Sequence, residues 1–198
     1  DEEQNFGFDS NGDLDTAGIA AFCGSANGYV SRWWDQSTAG NHADQATDTN
    51  QPQIYNGSAV ITENGNSAVS IRVTYWQTTS AVFALADDCE LFTVFSGSSD
   101  SGNAALWVGN PTIYNSGYFG LTHPSNTSTV VDGGWSNVAY RKNTTSISPV
   151  NRKSLYDNWV TGGQVLIGAS AENLTDSNQA STLRLMAYQT NTITGNLS

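Results

Sequence analysis

The chain has 198 residues and carries seven Lys and Arg against eighteen Asp and Glu, a formal net charge of −11; its length fits one all-β domain, and its charge repels a phosphate backbone, so nucleic acid is not expected as a partner. Nineteen Gly and a surplus of Ser, Thr, Asn and Asp speak against a helical bundle. The longest apolar stretch, 81–86, falls far short of the roughly 20 residues a membrane helix needs, so no membrane partner is expected either.

The chain opens at Asp1 without a charged-then-apolar leader, and a soluble, processed product is expected. No linker, long charge run or repeat divides it, and its four prolines stand singly, which gives one domain over 1–198. The first fifteen residues hold six acidic and no basic side chains. Asp15 then offers an N-cap, and Ile19 and Phe22 an apolar stripe, for a short helix over 15–23 that ends by Gly24. Beyond it the period is mostly two. Strands are expected at 29–34, 59–62, 68–75, 90–95, 105–109, 112–114, 118–121, 138–140, 165–168 and 183–188, each bounded by turn residues. With no intervening helices, the expected class is all-β: a two-sheet antiparallel sandwich with one short N-terminal helix.

Cys23 and Cys89 allow at most one bridge; two half-buried thiols are the preferred reading and a Cys23–Cys89 disulfide the alternative. His42 and His123 lie far apart with no paired-ligand spacing, so zinc is not supported. Asp9, Asn11, Asp13 and Asp15 place oxygen side chains at alternating positions, as the first half of a calcium loop does, but Ala20 stands where that loop needs a bidentate Glu. Calcium is the one cofactor the chain suggests; the alternative is an acidic turn whose last Asp caps the helix. Among the six Trp, those flanked by polar residues suit sugar stacking. Tyr75 with Trp76, and Asp157 with Trp159, are the candidate sugar-binding pairs, against the reading of period-two aromatics as core.

The most distinctive segment is Trp33-Trp34-Asp35-Gln36-Ser37-Thr38-Ala39-Gly40-Asn41-His42-Ala43-Asp44-Gln45-Ala46. Asp35, Gln36, Gly40 and Asn41 read as a structural corner, in which Asp35 accepts backbone N–H bonds and Gly40 takes positive φ. The segment resembles the Tyr-Asp-Gln-Ser-Gly-x-Gly-Asn-x-x-x-Gln-Ala signature of the α-L-arabinofuranosidase B catalytic domain. The same signature occurs in concanavalin A-like, laminin-G-like jelly-roll modules of phage structural proteins and bacterial surface proteins. The likeness runs upstream to Gly7-Phe8-Asp9-Ser10 and downstream through Gln51-Pro52-Gln53-Ile54 and Glu63-Asn64-Gly65 to about residue 71. It implies a jelly-roll sandwich.

It does not bring the enzyme's catalytic pair. A retaining glycosidase needs two carboxyl groups about 5 to 5.5 Å apart, and the family's nucleophile-bearing Ala-Asp-Leu-Glu-Asn-Gly stretch is missing; 101–156 hold one acidic residue, Asp132. Glu172 is the single candidate carried over from the family's acid/base loop. The family's mate for Cys23 falls at Gly28. The expected function is therefore a non-enzymatic structural protein of a virion surface, such as a phage capsid decoration, spike or fibre. Its expected partners are other virion proteins or copies of itself, with host glycans as ligands. The alternatives are a secreted carbohydrate-binding or adhesion module and an arabinofuranosidase-like hydrolase.

Overall fold

Asp15 starts the helix the sequence predicts: its Oδ1 accepts the Gly18 N–H at 2.9 Å, and α1 runs Thr16–Cys23. Gly24, at φ +59°, closes it with its N–H on the Ala20 carbonyl, a left-handed conformation that glycine adopts without strain. An eight-residue helix is marginal by itself, and Ile19, 2% exposed, anchors this one in the core. Phe22 stays at the surface, edge-on to Phe6 with ring centroids 5.6 Å apart.

The computed structural model describes residues 2–72, 76–82, 87–97, 104–108, 118–122, 125, 127, 136–159, 164–172, 182–185 and 192–196. After α1 come β1 (Asn27–Tyr29), β2 (Arg32–Trp33), β3 (Ala43–Asp44), a 3₁₀ turn at Asp48–Asn50, β4 (Gln53–Asn56), β5 (Thr62–Glu63), β6 (Asn66–Arg72) and β7 (Trp76–Ala81). Then follow β8 (Cys89–Gly97), β9 (Ala104–Val108), β10 (Tyr118–Thr122), β11 (Ser136–Lys142) and β12 (Thr145–Ser146). Helix α2 (Arg152–Trp159), β13 (Val165–Glu172), β14 (Thr182–Leu185) and β15 (Thr192–Asn196) complete the order. The chain is mostly β, and the strands pair antiparallel throughout the described residues.

One sheet has the order β1-β4-β6-β15-β8-β13-β11-β12, with β5 on β6, and the other β10-β9-β14-β7-β3-β2. They share one core. Val165, Ile167, Ala169 and Ala171 point inward from β13 and cluster with Ile54, Val69, Ile71 and Tyr140 of the larger sheet and with Ala43 and Trp76 of the smaller one. Ile71 and Ile167 are fully buried, each side chain stabilising the fold by about 1.5–3 kcal/mol. The β5–β6 hairpin turns on Asn64 and Gly65, both at positive φ, the two-residue turn whose twist suits adjoining strands.

Four expectations need correction. The expected strand at 29–34 is two strands in different sheets: β1 ends at Tyr29, the Val30 N–H donates to the Pro52 carbonyl, and β2 begins at Arg32. The polar run after Trp76 is β7, because the smaller sheet buries both Trp76 and Thr78. A second helix exists: α2 is capped by Asn151 Oδ1, which accepts the Ser154 N–H at 2.8 Å, and it buries Leu155 and Tyr156. The strand expected at 183–188 is β14 over Thr182–Leu185, but it is not the last: β15 follows, in mid-sheet between β6 and β8; the expected strand at 112–114 lies outside the described residues. Among the described residues no helix is long and apolar enough to cross a membrane.

Candidate functional site

The distinctive segment forms the hairpin of β2 and β3, with Arg32 opposite Asp44 and Trp33 opposite Ala43. Alternation along β2 sends Trp33 inward, where its ring lies 5.4 Å from that of Trp76, and Arg32 outward with the residue after the strand, Trp34. The Arg32 guanidinium forks onto Asp44 through Nε at 2.6 Å and Nη2 at 2.9 Å, and its Cζ lies 4.9 Å from the Trp34 ring centroid. Solvent screens an exposed pair of this kind, so it adds little to stability; its effect is to fix where the indole stands. Trp34 is 40% exposed.

The loop between the strands is tied from inside by Asp35. Its Oδ1 accepts the Ser37 N–H at 2.7 Å, and its Oδ2 accepts the Ser37 hydroxyl and the Asn41 N–H, both at 2.8 Å. These bonds, the Ser37 hydroxyl first, hold the Asp35 carboxyl below its ordinary value, because they favour the charged form. From the other direction the Asp35 N–H donates to His42 Nδ1 at 3.0 Å, which leaves the neutral ring's proton on Nε2. His42 meets the Trp34 ring at a steep angle, centroids 4.5 Å apart, and its carbonyl accepts the Thr79 N–H of β7. Gly40 sits at φ +70°, as its place in the turn predicts.

Beside the loop opens a cleft of about 410 Å³, lined by both indoles, Asp35, Ser37, Asn41 and Thr78 among others. Gln36 Nε2 donates to the Trp34 carbonyl at 3.0 Å. Among the described residues, the Asn41 backbone N–H bonds to Asp35 while its side-chain amide has no hydrogen-bond partner.

The other candidates fall elsewhere. Tyr75 lies outside the described residues. Trp76 is 3% exposed and its Nε1–H donates to the Val30 carbonyl at 2.9 Å; it is core and presents no face to a sugar, which corrects that expectation. Asp157 and Trp159 are on α2, not in a binding turn, and Asp157 pairs with Lys153 one turn back. Glu172 ends β13, exposed, where its Oε2 accepts from the Asn137 amide at 2.8 Å.

In the acidic stretch, Asp9 Oδ1 accepts the Asn11 and Asp13 N–H groups at 2.7 and 3.0 Å, while Asp15 caps α1. Asp9, Asn11, Asp13 and Asp15 therefore serve a backbone turn and a helix start. Among the described residues no three His, Cys, Asp or Glu gather into a group that could hold a metal ion. Cys23 and Cys89 are free, half-buried thiols, and burial pushes the Cys89 thiol up to about 11.

Sequence reasoning missed Trp34 as an exposed aromatic that lines the cleft. The signal was present in the Trp33-Trp34 pair, since strand alternation must turn one of two adjacent residues outward. No protein-family model, curated protein or solved structure matches the chain.

Proposed function

We propose that the chain is a concanavalin A-like jelly-roll module that works without catalysis on the outside of a virion, as a capsid decoration, spike or fibre protein among other virion proteins or copies of itself. The observation that carries this reading is the closed loop of β2 and β3. The residues on which the jelly-roll resemblance rests, Asp35, Ser37 and Asn41, are the ones that bond one another there. The chain's path supports it: β6 lies in the larger sheet, β7 in the smaller, β8 in the larger, β9 and β10 in the smaller, and β13, β14 and β15 alternate again, as strands of a jelly roll do. Two things favour a role without catalysis. The nucleophile-bearing stretch is missing from the sequence, and Glu172 is engaged by the Asn137 amide. An acidic exterior of net charge −11 keeps copies apart except where specific contacts form.

Immunogold labelling of intact particles from the source, with antibody raised to this chain, tests the reading. Label on the particle exterior is expected; label confined to the cell wall or culture medium would favour the secreted carbohydrate-binding module, a reading that the Trp34 cleft also suits. Turnover of an aryl arabinofuranoside that vanishes in Glu172→Gln would establish a hydrolase instead.

A further inference from the structure

We propose that the cleft beside the loop of β2 and β3 binds a neutral sugar ring, with the Trp34 indole as its stacking surface and the Asn41 side-chain amide as its hydrogen-bonding group. The inference does not depend on where the module is displayed.

The chemistry of the cleft selects the ligand. Its volume of about 410 Å³ lies in the range of small-molecule sites, where an apolar surface and a few placed polar groups divide the recognition. A sugar ring presents an apolar C–H face and an edge of hydroxyls, which matches an exposed indole next to an amide. Asn41 offers two donors and an acceptor that no group among the described residues uses. Asp35 adds one more position: a carboxylate has about four acceptor directions, and Ser37 and Asn41 take three, leaving one on Oδ1 for a ligand hydroxyl. A purely apolar ligand would desolvate the Asn41 amide and the Asp35 carboxylate without replacing their water bonds.

Charge narrows the class to neutral sugars. Among the described residues, the cation that sits against the Trp34 ring, Arg32, already forks onto Asp44. An acidic sugar would meet the Asp35 anion and a protein of net charge −11.

The platform is also held in place before any ligand arrives. Arg32 sits over the Trp34 ring and His42 stands against it, while Asp35 closes the loop that carries both Trp34 and Asn41. Little ordering is left to oppose binding. The cleft is open, so affinity for a single ring is expected in roughly the millimolar range, rising for longer glycans.

The test is a titration of the whole chain with methyl β-galactopyranoside, methyl β-glucopyranoside, methyl α-mannopyranoside and N-acetylglucosamine, each to about 50 mM, following the indole N–H signals by NMR. The Trp34 signal, assigned by its loss in Trp34→Phe, is expected to move saturably with at least one of the four. Affinity is expected to fall about tenfold or more in Trp34→Ala and in Asn41→Ala, with the melting midpoint of Asn41→Ala unchanged. Should Trp34→Ala fail to fold, Asn41→Ala decides, because it removes only a side chain that bonds to none of the described residues. A Trp34 signal unmoved by all four sugars, or affinity unchanged in Asn41→Ala, overturns the proposal and leaves display on a virion standing.

Discussion

Asp35 Oδ2 accepts the Asn41 N–H at 2.8 Å, a bond that closes the loop between β2 and β3 with a charged acceptor. The bonded carboxyl titrates below its ordinary value. Its contribution to stability is therefore fully present above the ordinary carboxylate range and is lost as pH falls through the lowered folded value. Asp35→Asn lacks this contribution. Its melting midpoint is expected to lie several degrees below wild type at about pH 7, and the gap to shrink below about pH 4. Thermal melts of both proteins across that range check the sign, and a gap that widened in acid would contradict it.

Cys23 Sγ occupies the space a side chain at Gly28 would need: a Cβ there would lie 2.7 Å from the sulfur and 3.0 Å from the Tyr55 Cβ. Gly28→Ala is expected to destabilise by about 1–3 kcal/mol through this overlap. Gly28→Cys, in contrast, places a second sulfur beside the first. Under oxidising conditions it is expected to bridge to Cys23 and to recover on the order of 2 kcal/mol relative to its reduced form. Mass spectrometry and paired denaturation curves read both effects.

Trp76 packs on Trp33 of the same smaller sheet and ties it to the link between β1 and β2 by donating to the Val30 carbonyl. Trp76→Ala is expected to cost about 3–5 kcal/mol, seen as a lower denaturation midpoint. A stable variant that had lost only sugar binding would return Trp76 to the role the sequence suggested.

The acidic turn at 9–15 is held by Asp9 on its own backbone. Calorimetric traces with calcium and with chelator are expected to coincide, while Asp9→Ala lowers the midpoint in both. A calcium-dependent rise that Asp13→Ala removed would restore the ion.

The parts of the fold legible in the sequence are those where local pattern and tertiary role agree. Asp15 and Gly24 bracket α1, and the alternating runs of β8 and β13 lie side by side in the larger sheet. What was not legible depends on distant partners. β2 and β3 are two residues each, too short for a period to register. The polar strand β15 gains its place only by pairing with β6 and β8, and Thr78 is buried because β7 lies against β3. Helix α2 begins with Arg152 and Lys153, cations at the end of the helix dipole that disfavours them, so its capping residues alone announced it. The corner's chemistry was readable, since Asp, Ser and Gly in that order predict a turn. Which of Trp33 and Trp34 faced outward was not, because alternation fixes the difference between neighbours and not the side.

Labour is divided within one loop: Asp35 holds the backbone, and Trp34 and Asn41 line the cleft. Melting curves of Asp35→Ala and Asn41→Ala, measured together at neutral pH, test this division most directly. A clearly lowered midpoint is expected for Asp35→Ala, whose loss leaves the Ser37 and Asn41 N–H groups without their acceptor, and a wild-type midpoint for Asn41→Ala. Wild-type melting of Asp35→Ala would contradict it.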